Sequence, residues 1–216
     1  MKKQFHFLMI TILCCGTMQS KPLLLLQTFG TTQHTGRAVA GGTERGITIQ
    51  LAEAINDALA EHEDAPQTYI INPAGNKKNP FETLNKINQA RQAVVVQLSA
   101  SQQEQPKPSC NIFFRSYNAL TDQIKRPYAP LTAVPLEEVY LLNFGQSKIL
   151  AKKLNEHMQG ARDFIDTQEP AGIPLAHARG IKHPMLQIEV NINKGTQITQ
   201  LAAILAGALQ KIVLPR

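Results

Sequence analysis

The chain has 216 residues, 43% of them hydrophobic and 18% charged, with no tryptophan, three cysteines and a formal net charge of +6. Its basic residues are scattered rather than clustered among aromatics, which argues against a nucleic-acid surface, and no apolar run reaches the ~20 residues that a membrane-spanning helix needs. The length suits one α/β domain, which at this size buries about 70% of its unfolded surface and needs no covalent staple.

Lys2 and Lys3 precede an apolar run from about Phe7 to Cys15, followed by small and polar residues. That is the layout of a secretory signal, so residues 1–20 are read as a signal peptide and 21–216 as the domain of an exported protein, periplasmic or extracellular. Cleavage after Gly16 or Ser20 leaves a small residue at the cut. A lipid anchor on Cys15 is a further option, although Ile12, Leu13 and Cys14 make a poor lipobox. Loss of Cys14 and Cys15 leaves only Cys110, so the mature chain has no internal disulfide. Loss of Lys2 and Lys3 lowers the charge from +6 to +4, a mild excess that suits an anionic envelope polymer.

Pro22 to Gln27 is a short apolar run that reads as a buried strand. A Gly-rich loop follows, Gly30 to Gly42. Ile47, Leu51, Ala54, Ile55, Ala58 and Leu59 then recur at helical spacing, with Thr43 placed as the cap. The alternation repeats with a strand at Thr68 to Ile71, a helix face of Phe81, Leu84, Ile87 and Ala90, and a strand from Ala93 to Ser101.

After the polar stretch SQQEQPKPS, Asn111 to Tyr117 reads as a further strand. The Pro-rich residues at about 118–135 read as a loop or insertion. A helix is expected at about Gln146 to Met158 with Ile149, Leu150, Leu154 and Met158 inward, then a strand from Met185 to Val190 and a well-covered helix from Thr196 to Val213. The fold class is therefore α/β: a single domain with a mostly parallel, twisted sheet and helices on both faces.

Four segments, in this order, resemble the zinc-dependent N-acetylmuramoyl-L-alanine amidases, which trim peptidoglycan. They are GGTERGITIQLAEAINDAL, with Glu44 at the helix entry; INQARQAVVVQLSAS, with Asn88; FGQSKILAKKLNEHM, with Ser147, Leu150 and Ala151; and HPMLQIEVNIN, with Pro184, Glu189 and Asn193. The resemblance covers most of residues 22–213. It implies an amidase-like fold and a zinc ion held by two histidines and a glutamate, with a second glutamate taking a proton from the metal-bound water.

Carried over residue by residue, the resemblance puts Glu44 at the metal-ligand position and Glu189 at that of the catalytic base. Both histidines are replaced: Thr31 stands where the first belongs and Ser99 where the second belongs. One glutamate with two hydroxyls holds zinc orders of magnitude more weakly, so zinc is expected to be absent or weakly held.

Several residues carry two readings. His34, in the Gly-rich loop, is a substitute metal ligand or a solvated loop residue. Glu44 is an inherited ligand or an acidic residue favoured by the helix dipole. Glu189, on a strand expected to be buried, reaches a cleft or has a partner. His177 and His183 are expected at the surface or in turns, and Cys110 is a nucleophile or an idle thiol. The expected cleft, at the strand ends, is lined by Thr31, Glu44, Ser99 and Glu189.

Three functions follow. The first is an exported amidase-like protein of the cell envelope that has lost its zinc site and binds peptidoglycan or a partner protein. The second is an active zinc amidase with a rearranged ligand set of His34, Glu44 and another histidine, and the third is an exported α/β scaffold unrelated to the cell wall.

Overall fold

The computed structural model describes residues 21–71, 74, 80–116, 139–175, 179–193 and 197–213. The signal-like segment 1–20, the Pro-rich stretch 118–135 and His177 lie outside the described residues.

Nine strands and four α-helices follow one another along the described chain: β1 (Leu23–Gln27), β2 (Ala38–Val39), β3 (Gly42–Thr43), α1 (Glu44–Ala60), β4 (Gln67–Ile71), α2 (Pro80–Gln89), β5 (Ala93–Ser101), β6 (Ser109–Arg115), α3 (Phe144–Met158), β7 (Asp166–Thr167), β8 (Ala171–Ile173), β9 (Met185–Asn191) and α4 (Ile198–Val213). The main sheet runs in the order β4-β1-β5-β9-β6-β7, with β8 also paired to β6, while β2 and β3 form a separate small hairpin. β4, β1, β5 and β9 are mutually parallel, and β6 lies antiparallel to β9. The expected α/β domain with a mostly parallel sheet and helices on both faces is what forms.

The period-2 rule assigns each strand's two faces. Val94, Val96, Leu98 and Ala100 of β5 join Leu24, Leu26, Ile112, Ile188 and Val190 in a core with the apolar faces of α1, α3 and α4. On the other face Val95 packs with Leu25, Met185 and Ile87, against α2. β5 is buried at all nine positions, as a central strand covered on both faces must be. At its end Ser101 Oγ donates to Asn191 Oδ1, and Asn191 Nδ2 donates to Ser109 Oγ (2.8 Å), so one buried polar chain pins β5, β9 and β6 in register.

α1 begins where Thr43 caps it, its Oγ1 accepting from the Gly46 amide. Ser147 of α3 accepts from the Met185 amide (3.1 Å) and donates to the Asn143 carbonyl (3.0 Å), holding the start of β9 against the start of the helix. Asn88 does comparable work on the other face: its Nδ2 donates to the Gly180 carbonyl (2.7 Å) and its Oδ1 accepts from the Lys182 amide (3.0 Å).

Two expectations need correction. Ile149 does not face inward but is 56% exposed, because the buried stripe of α3 runs through Ser147, Leu150, Ala151, Leu154, Asn155 and Met158. His183 is not a surface residue: it is buried, with Nε2 within 3.0 Å of the Ile87 carbonyl. Desolvation lowers its pKa from the ordinary 6.5, the Lys182 charge adds to that, and the Ile87 hydrogen bond opposes it. A histidine whose pKa is depressed by folding binds fewer protons folded than unfolded, so stability is kept above the unfolded value and lost as pH falls through it. Chemical denaturation at stepped pH is expected to show the protein weakening below 6.5, and His183→Asn is expected to flatten that limb.

Candidate functional site

The site is assembled where the loop after β1, the first turn of α1 and the carboxyl-terminal ends of β5 and β9 meet. The loop turns back on itself: Thr31 Oγ1 accepts from the amides of Gln33 and His34, and the Thr31 amide donates to the His34 carbonyl (3.0 Å). Two further backbone bonds stitch the loop to the helix entry, from the Glu44 amide to the Arg37 carbonyl (2.8 Å) and from the Arg45 amide to the Thr35 carbonyl (3.0 Å). Amides of the first helical turn have no intrahelical partner, so this loop satisfies two of them.

Glu44 is 1% exposed, and its carboxylate is saturated. Oε1 accepts from Arg37 Nη2 (3.1 Å) and from the Ala100 amide (3.2 Å), while Oε2 accepts from the Arg37 amide and from Arg37 Nε (3.2 Å each). The guanidinium is thus a two-pronged partner for one carboxylate. Its Nη2 also donates to Glu189 Oε1 at 2.9 Å. Arg37 therefore bridges the two glutamates that the resemblance singles out, and the Glu44 hydrogen bond is the main reason its pKa is raised, against the opposing effect of burial.

Across the sheet Ser99 pairs with Glu189, and Glu189 with Asn111. Ser99 is buried, and its Oγ accepts from Gln187 Nε2 (3.1 Å). The structure thus brings Glu44, Glu189 and the end of β5 together around Arg37. His34 is an exposed loop residue. Cys110 is fully buried in the core, where desolvation pushes its thiol up to about 12, so it stays protonated and is no nucleophile.

Arg37 went unnoticed in the sequence, although a signal was there. It is the only Lys or Arg between Gly30 and Thr43, and two carboxylates held together without metal histidines need a cation between them.

The residues present do not fit a zinc ion of the amidase type. Zinc wants ligand oxygens at about 2.0–2.2 Å in a tetrahedral set. Here both Glu44 oxygens accept from nitrogen donors, and the one Nη2 that reaches both carboxylates stands between them. The Thr31 hydroxyl accepts from an amide of its own loop, and the Ser99 hydroxyl accepts from Gln187 on the neighbouring strand β9. Among the described residues no three His, Cys, Asp or Glu side chains gather as a metal would require.

Gly36 is what lets the loop lie so close. Its φ is +78°, and a Cβ there would meet Glu44 Oε2 at 2.7 Å and the Phe29 ring at 3.0 Å. Gly36→Ala is expected to cost about 1–3 kcal/mol, read as a fall in the denaturant midpoint, since it combines left-handed strain with a clash at the ion pair.

The sheet order, the helix that enters on Glu44 and the second glutamate near the end of β9 define a fold class, that of the N-acetylmuramoyl-L-alanine amidases. Among solved structures, the chain is similar to the N-acetylmuramoyl-L-alanine amidase of Clostridium difficile 630, at 12% identity and a TM-score of 0.62 over 90% of this chain and 95% of that one. It is similar to amidase AmiC2 of Nostoc punctiforme at 10% identity and a TM-score of 0.60, over 89% and 94% of the two chains. A third is the CwlD amidase of Clostridioides difficile, solved in complex with the GerS lipoprotein, at 11% identity and 0.59 over 88% and 98%. No family model and no curated protein matches the chain. At such identities the likeness establishes the shared fold.

Proposed function

We propose that this chain is an exported protein of the cell envelope that uses the amidase fold to bind peptidoglycan without cleaving it. The observation that carries the reading is the Arg37 bridge between Glu44 and Glu189: a fixed guanidinium supplies the positive charge these carboxylates need, but it has no water to activate. Glu189, tied to that guanidinium, is a structural acceptor rather than a base. Thr31 and the exposed part of Arg37 offer a polar surface suited to the hydroxyls, amides and carboxylates of a glycan or stem peptide.

The test is a pair of measurements on the purified protein. Elemental analysis after gel filtration in chelator-free buffer is expected to find no stoichiometric zinc, and purified sacculi are expected to sediment the protein while releasing no stem peptides. Glu189→Ala is then expected to leave the digest unchanged. About one zinc per chain, with stem-peptide release that Glu189→Ala abolishes, would establish an active amidase with a rearranged ligand set instead. Failure to bind sacculi in the absence of zinc would leave a partner protein or a plain scaffold.

A further inference from the structure

The opposite end of the sheet carries a second cleft, of about 600 Å³. The amino-terminal ends of three parallel strands meet there, at Leu23 of β1, Ala93 of β5 and Pro184 just before β9, and one flank of α3 forms a wall with Ile149 and Lys153. The Glu44–Glu189 site lies by the carboxyl ends of these same strands, so the two sites are separate.

Charge is distributed unevenly around this cleft. Arg91, Lys153 and Lys182 line it, and among the described residues no Asp or Glu does. All three cations are exposed, and among the described residues none has an ion-pair partner, whereas Arg37 and Lys107 do. Three like charges around one concave opening raise its potential and draw in an anion. The amino terminus of α3 adds to the same field, since its first turn holds no acidic residue and its cap side chain makes no capping hydrogen bond.

The cleft also has an apolar side. Ile149 in the cleft is 56% exposed, and Leu23, Ile212 and Val213 also line it.

We infer that this cleft binds an anionic group attached to an apolar chain, the cations holding a phosphate or carboxylate while Ile149 and the apolar lining of Leu23, Ile212 and Val213 cover the hydrocarbon. Such a group comes either from a phospholipid in a bilayer surface or from a free amphiphile in solution, and the two sources share the chemistry. Neither Glu44, Arg37 nor Glu189 takes part, so the inference stands apart from peptidoglycan binding.

The experiment compares the mature chain, residues 21–216, with its Arg91→Gln/Lys153→Gln/Lys182→Gln variant, the fold of both being checked by circular dichroism and thermal melting. Hexyl phosphate, inorganic phosphate and hexanol are titrated calorimetrically, and vesicles of phosphatidylglycerol with phosphatidylcholine, or of phosphatidylcholine alone, are sedimented with each protein. Hexyl phosphate is expected to bind more tightly than inorganic phosphate or hexanol, and to weaken about tenfold or more in the variant and at high salt.

Wild-type binding to the anionic vesicles in excess of the variant assigns the site to a lipid surface, and hexyl phosphate binding without it assigns a soluble amphiphile. Both proteins begin at residue 21, as export with signal removal implies, so the apolar run of residues 1–20 contributes to neither. If wild type and the folded variant bind every probe equally, the inference is wrong. Should the triple variant not fold, Lys182→Gln alone is expected to weaken hexyl phosphate binding about threefold, and no change in it overturns the inference. Sedimentation with sacculi is expected to be the same for variant and wild type, so loss of one kind of binding is told apart from loss of the other.

Discussion

Arg37→Met is expected to destabilise the fold by about 2–3 kcal/mol at neutral pH. The reason is the partner left behind. Glu44 is 1% exposed, and the substitution removes two of its four donors together with their charge, so an ionised carboxylate remains buried with only backbone amides to face it. Breaking a fully buried pair costs ~3–5 kcal/mol, and the Arg37 side chain is 56% exposed, which brings the expected figure down because part of the pair's field is already screened.

The pH signature separates this from a simple packing loss. Acid removes the charge that the substitution leaves buried without its cation, so the loss is expected to shrink as pH falls. Denaturant unfolding of variant and wild type at several pH values is expected to give curves that converge in acid. A loss that is the same at every pH would mean that Glu44 does not depend on Arg37.

Leu205→Ala is expected to cost about 2–5 kcal/mol, seen as a drop in melting temperature with little change in the unfolding cooperativity. Leu205 is fully buried in α4, the helix that packs against both α1 and α3. Those neighbours are themselves packed on the sheet, through Leu24, Leu26, Leu98 and Ile188. Rigid elements on several sides leave the wall little freedom to collapse into the void, which places the substitution toward the expensive end of such changes. The Glu44–Arg37–Glu189 bridge is held by hydrogen bonds in which α4 takes no part, so sacculus binding by the folded fraction is expected to be unchanged.

The sequence by itself determined the elements and their kind. α1 is legible because Ile47, Leu51, Ile55 and Leu59 keep helical spacing behind a Thr43 cap, and β5 because nine consecutive residues without a helical polar face suit a strand buried on both sides. These signals are local, so a single segment contains them whole. The same holds for Glu44 and Glu189, which the resemblance singles out from short motifs. Arg37 belongs to no local pattern. Its role depends on a contact with Glu189 across 152 residues of sequence, formed only when the loop after β1 folds over the start of α1 and β9 lies beside β5.

The tertiary structure alone decided the burial of His183 and the exposure of Ile149. Both sit beside apolar neighbours in sequence, and which side meets the core is set by how α2 and α3 are placed on the sheet. Periodicity states that a face will be buried, but only packing states which residue lies at its edge. The second cleft is a tertiary product for the same reason: Arg91, Lys153 and Lys182 come from three separate segments, and only the parallel alignment of β1, β5 and β9 brings their amino-terminal ends, and those three charges, to one opening.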